Sequence, residues 1–211
     1  NELFETALNA SRWEEAIRIG KSRMSLQRQD RNQYQVAQSM YILAFCFAQA
    51  GKKDSSHYYY RNADQFSQRY GLFTARALAW KNIATLITEP HHADVALDLL
   101  RQALTLFKDQ GFQDETAYCL MEQGRIYLEL LNQPAQALSL LQQAKQYAKG
   151  ANSLPLRLET GILLGRTHLQ LGNFKQAAYD LQTTVQSANP KENSFLLARA
   201  LYHQAKVHYQ T

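Results

Sequence analysis

Five small residues recur along this chain of 211 at a nearly constant distance: Ala44, Ala84, Gly124, Gly165 and Ala205, separated by 40, 40, 41 and 40 residues. A fixed period of this length means that the chain is built from like units, each leaning on its neighbours to bury its apolar face. The clearest copy runs from Gly161 to Pro190 and reads as two antiparallel helices joined by a tight turn at Gly172 and Asn173. In the first helix Leu164 and Gly165 stand four and three residues before His168, which puts a small residue between larger ones on one face. In the second, Phe174, Ala177 and Leu181 follow at three and four residues and offer a face that can lie against that gap.

The other copies follow by distance. Ala44 leads to Gly51, Ser56 and Tyr60 at the offsets that connect Gly165 to Gly172, Ala177 and Leu181. Ala84, with Trp80 four residues before it, leads to Ala96, Leu100 and Ala103, with Glu89, Pro90, His91 and His92 in place of the glycine turn. Gly124 leads to Tyr127 and then, after one extra residue within Asn132 to Pro134, to Ala137, Leu141 and Ala144. Trp13 and Ala16 match Phe174 and Ala177, so a truncated copy is expected at the start, and Ala205 opens another at the end.

On these residues the chain resembles the tetratricopeptide repeat family, in a variety with a longer period. The matching positions are Leu43, Ala44, Phe47, Tyr60 and Ala63; Trp80, Ala84, Ala96 and Ala103; Leu120, Gly124, Tyr127, Ala137 and Ala144; and Leu164, Gly165, Ala177 and Leu181. The usual repeat is about 34 residues, so each pair here carries extra length, expected in the helices and in connections such as Phe107 to Gln113 and Tyr147 to Leu154. The resemblance implies an all-α, right-handed superhelical solenoid of nine to eleven helices in antiparallel pairs. Its repeats would be a partial one over 1–30, four over about 34–73, 74–113, 114–154 and 155–193, and a truncated one over 194–211, all in a single domain spanning 1–211. No Pro, Gly or Ser run marks a boundary.

Composition fits that expectation and narrows the function. Only 4 Pro and 9 Gly interrupt a chain that is 45% apolar, which suits helices. The longest apolar stretches, such as Met40 to Ala48, are about nine residues, against roughly 20 for a bilayer span. No membrane association is expected, and no charged-then-apolar leader is legible at Asn1. The chain starts and stops inside helical patterns, so it reads as a piece of a longer protein. Cys46 and Cys119 sit in different repeats and read as buried thiols of a reduced, cytoplasmic protein. The adjacent His91 and His92 lack further ligands at metal spacing. His57, His168, His203 and His208 show no nucleophile or acid–base partner. The formal charge of +5 is mild and is not gathered into a dense basic stripe, so no direct nucleic-acid contact is expected.

The expected role is therefore a non-catalytic protein interaction module without cofactor or metal, holding a protein or peptide segment of acidic character in a groove. The alternative, also implied by the resemblance, is a ligand- or peptide-sensing domain of a larger bacterial-type regulator. The family's concave surface is lined by the first helix of each pair. Equivalent positions there form three rows: Gln38, Leu78, Tyr118, Glu159 and Arg199; Tyr41, Lys81, Met121, Ile162 and Tyr202; and Phe45, Thr85, Arg125, Arg166 and Lys206. Candidate groove residues are Tyr41, Phe45, Lys81, Tyr118, Arg125, Arg166, Arg199, Tyr202 and Lys206. Arg125 has Glu122 and Glu129 at pairing distance along its helix. Arg166, Arg199 and Lys206 have no acidic neighbour three or four residues away, so they are expected to form a basic wall of surface groups, with Lys145 on the opposite surface. The apolar face of Leu201, Tyr202, Ala205 and Tyr209 is expected to lack a covering helix and to favour self-association.

Overall fold

The computed structural model describes residues 2–150 and 153–210. The connection expected over Tyr147 to Leu154 thus lies in part, at 151 and 152, outside the described residues, as does Thr211. Among the described residues the chain is all-helical. The helices are α1 (Glu2–Asn9), α2 (Trp13–Gln29), α3 (Gln33–Gln49), α4 (Lys53–Arg69), α5 (Phe73–Leu86), α6 (Ala93–Asp109), α7 (Gln113–Glu129), α8 (Pro134–Lys149), α9 (Leu154–Gln170), α10 (Phe174–Ser187) and α11 (Ser194–Gln210). A 3-10 turn over Pro90–His92 precedes α6. No helix among the described residues is long and apolar enough to cross a membrane.

Among the described residues six connections are the same turn. After α1, α2, α3, α4, α6 and α9 the residue two past the helix takes a left-handed φ, at Ser11, Arg31, Gly51, Gly71, Gly111 and Gly172. In each the left-handed residue donates its N–H to the carbonyl three before it, and the next residue donates to the carbonyl five before it. Gly172 N–H reaches Leu169 O at 3.1 Å and Asn173 N–H reaches His168 O at 2.8 Å. This is the Schellman closure, which satisfies the last carbonyls of a helix and reverses the chain within three residues. Glycine adopts the required φ without a Cβ clash at Gly172, whereas Arg31 holds φ 54° against it. Arg31→Gly is accordingly expected to stabilise the protein by about 0.5–1 kcal/mol, read as a higher urea midpoint with an unchanged slope.

The chain divides into two compact units, Asn1–Ile87 and Thr88–Thr211. In the first, α3 is central and packs on α2, α4 and α5. Its core gathers Phe4, Ala7, Leu8, Ala16, Ile17, Cys46 and Phe47. The close approach here is at Gly20, where an added Cβ would stand 2.9 Å from Leu43 Cδ2 and 3.0 Å from Phe4 Cε2. In the second unit each helix packs on the next from α6 to α11, and α9 also touches both α7 and α11. Its main core joins Leu120, Met121, Leu128, Leu141, Leu156, Leu163 and Leu164. The repeat expected over 74–113 contributes α5 to the first unit and α6 to the second.

Four of the five small residues read from the sequence are buried among the packed helices. A Cβ on Gly124 would fall 2.6 Å from Leu141 Cγ, and one on Gly165 would fall 2.4 Å from Leu181 Cγ. Ala44 and Ala84 are buried as well. Ala205 is exposed, and on α11 the inward positions are Ala200 and Val207 instead. Leu201, Tyr202 and Tyr209 stand 47%, 58% and 94% exposed, with Phe195 of the same helix at 72%.

Candidate functional site

The candidate site is the face made by α7, α9 and α11, which touch one another in sequence across the second unit. Ser153 caps α9, its side chain accepting from the Leu156 N–H, and Pro155 occupies the first turn, so the helix starts where the row requires it. Side chains projecting from this face form a ladder of charge. Arg125 is clasped within α7 by Glu122, at 2.6 and 2.9 Å, and by Glu129 at 3.4 Å. Arg166 on α9 donates to the same Glu129. Arg199 on α11 reaches back to both carboxylate oxygens of Glu159 on α9, at 2.9 and 2.6 Å, and lies over the Phe195 ring at 5.6 Å. Charge-assisted bonds of this kind are short and directional, and a shared carboxylate ties α7 to α9 as well as satisfying two cations.

This overturns the expected basic wall. Arg166 and Arg199 are half-buried and paired across helices, not free surface cations. Lys206 differs: among the described residues no carboxylate stands within ion-pair distance of it, and its ammonium lies 4.7 Å above the exposed Tyr202 ring. Beside it, Arg166, Leu169, Gln170, His203 and Lys206 line a cavity of about 270 Å³ between α9 and α11. The His203 pKa is pushed down to about 4 by burial, with Arg166, Lys206 and Arg199 adding to the effect against Glu129. At neutral pH it is therefore an uncharged imidazole edge-on to Tyr202, with ring centroids 5.1 Å apart. Tyr118 on α7 is half-buried, and burial raises its phenol to about 12, so it presents a neutral hydroxyl.

The candidates of the first unit fall differently. Tyr41 is 1% exposed and donates its hydroxyl to Asp64, which also pairs with Arg76 at 3.1 Å. Phe45 is 4% exposed under the edge of the Trp13 ring, at 5.7 Å. Both were expected on a groove surface and both belong to the packed interior. Lys81 is half-buried with partners of its own.

Two groups that matter at the face went unread in the sequence as partners, Glu159 and His203, and Glu129 was read as a partner of Arg125 but not of Arg166. The signal for one of them was present, since Glu159 and Arg199 occupy the same row one repeat apart. A second polar node lies on the far side of α9. Asp180, 3% exposed, accepts from Lys145 Nζ at 2.7 Å and stands 3.7 Å from His168 Nε2. Lys145, expected to be an inert surface charge, instead neutralises a buried carboxylate. Among the described residues no group of three or more His, Cys, Asp or Glu side chains is placed to hold a metal ion. No protein-family model and no curated protein matches this chain.

Proposed function

We propose that this chain is a tetratricopeptide-like solenoid that binds an acidic, partly apolar peptide segment of another protein along the α7–α9–α11 face, without catalysis. The observation that supports the reading is the end of the ladder: among the described residues no carboxylate stands within ion-pair distance of Lys206, and it adjoins an exposed tyrosine and the cavity at His203. A carboxylate there meets an exposed ammonium held over an aromatic ring, and an apolar side chain meets Tyr202 and Leu169. The paired arginines upstream set the register, since a second ligand carboxylate gains only where it can share a guanidinium with Glu129 or Glu159.

The test is a panel of peptides alternating acidic and apolar residues, titrated against the protein and its variants. Lys206→Glu should weaken binding about tenfold, and affinity should fall with salt because exposed charges are screened over about 8 Å at physiological ionic strength. Lys175→Glu, an exposed charge on α10, is the control. Equal loss in both variants removes the site. A ligand carboxylate near His203 favours the imidazolium, so its pKa should climb from about 4 towards the ordinary value on binding. By linkage, affinity should then rise as pH falls from about 6.5 to the His203 value, and a proton titration of His203 followed by NMR checks this.

Self-association is a companion proposal. The exposed row of Phe195, Leu201, Tyr202 and Tyr209 on α11 would bury apolar area against a second copy, and Leu201→Ser with Tyr209→Ser should abolish concentration-dependent sedimentation. An unchanged profile rejects it.

A further inference from the structure

In the first unit a cleft of about 390 Å³ opens between α2 and α4. Its floor is sulfur: Met24 from α2 and Met40 from α3, 7% and 6% exposed. Its wall is aromatic and comes from α4. Tyr59 is fixed by stacking on Phe47, with centroids 5.1 Å apart and planes 24° apart, and Tyr58 meets it edge-on at 5.5 Å. Phe66, about two turns further along α4, closes that side and is braced by Tyr70 at 4.7 Å. The rim carries two guanidinium groups, Arg28 from α2 and Arg69 from α4, and among the described residues no carboxylate lines the cleft. Neither arginine has an acidic side chain within ion-pair distance among the described residues.

We propose that this cleft binds a small aromatic oxyanion, an arylcarboxylate in the first instance. The volume is on the scale of small-molecule sites, which run from about 300 Å³ upwards. Methionine floors adapt to a ring edge and make favourable sulfur–aromatic contacts, and a wall already held by its own stacking is ordered before the ligand arrives, so binding costs less entropy. The planar guanidinium fork matches a planar carboxylate. Two such forks at the rim with no internal acid leave the cleft with a positive charge that a ligand anion neutralises. A neutral ring would gain the apolar contact alone. A simple inorganic anion would gain the arginines but not the floor. The site lies on different helices from the peptide face and uses none of its residues, so either can fail without the other.

The protein's three methionines supply the readout: Met24 and Met40 in the cleft, and Met121, buried in the second unit, as the internal reference. With methyl-labelled protein, 4-methylbenzoate should shift the Met24 and Met40 methyl signals to saturation and leave Met121 in place. The neutral isostere 4-methylbenzamide should bind at least tenfold more weakly. Arg28→Gln and Arg69→Gln should each weaken the benzoate at least fivefold, with an unchanged far-ultraviolet spectrum. Equal titration by benzoate and benzamide on the unaltered protein overturns the proposal without reliance on any variant. So does a Met121 shift of the same size, or the lack of a shift at Met24 and Met40 up to the solubility limit.

Discussion

Gly165→Leu is expected to destabilise the second unit by about 3 kcal/mol, the upper end of the range for overpacked cores. The first added atom decides the sign. A bare Cβ would already lie 2.4 Å from Leu181 Cγ and 2.7 Å from its Cδ2, and Leu181 is fully buried, so α9 and α10 must part or Leu181 must leave its rotamer. Gly→Ala inside a helix ordinarily stabilises by about 1 kcal/mol; Gly165→Ala should do the reverse. Leu181→Ala creates its own cavity, yet combined with Gly165→Ala it should cost less than the sum of the two, since each relieves the other's fault. Gly150→Ala is the comparison, because the one close contact of its Cβ, at 2.4 Å, is with the far end of the Gln113 side chain, and the Tyr147 carbonyl lies at an ordinary 3.8 Å. Urea midpoints of the four variants and the double mutant measure this. Additive losses for Gly165→Ala and Leu181→Ala would mean that the two residues do not form the contact described.

Lys145→Met is expected to cost about 2–3 kcal/mol at pH 8, because it leaves the Asp180 carboxylate buried without its cation. The loss should shrink in acid, and the sign follows from the third member of the node. Burial holds the His168 pKa below its ordinary value, Asp180 opposes that and Lys145 adds to it. Removing Lys145 takes away one lowering influence and leaves Asp180 to favour the imidazolium, so the folded variant binds a proton more tightly than the parent does. A group whose folded-state pKa is raised contributes stability at low pH that is lost as pH climbs through that value. Unfolding at pH 5.5 should therefore separate parent and variant less than unfolding at pH 8. Asp180→Asn added to Lys145→Met should recover much of the loss, because it removes the buried charge. A pH-independent difference would show that His168 does not answer for the missing cation.

Much of the helix packing could be read from spacing because small residues report it directly. Gly124 and Gly165 have no reason to interrupt a helix except room, and their partners Leu141 and Leu181 follow at 17 and 16 residues, the one extra residue lying within Asn132 to Pro134. The face was harder. A search along each helix at three and four residues finds Glu122 and Glu129 for Arg125, but Arg166 and Arg199 take their carboxylates from 37 and 40 residues away. That pairing depends on how far apart two helices lie side by side, which periodicity alone does not give. Tyr41 and Phe45 failed as surface residues for a related reason. They hold row positions equivalent to exposed ones on α11, yet Asp64 and Trp13 cover them. Likewise Lys145 was judged by its helix face, when the deciding fact was a buried acid on α10.

The repeated Schellman turn sets a ruler on the gene as well as on the fold. α2, α3, α4, α6, α7, α9 and α11 are each 17 residues long. A helix of that length plus a three-residue reversal makes a unit of 20, so the left-handed residues 11, 31, 51, 71 and 111 stand at multiples of one step. Inside this rhythm a one-residue insertion in a helix rotates every following side chain by about 100°, and it survives only where a joint can absorb it, as at Asn132 with φ 51°. Length variation in natural variants, and epitope tags placed by design, should therefore collect at 87–92 and 188–193, where α5 and α10 end in extended residues before a proline.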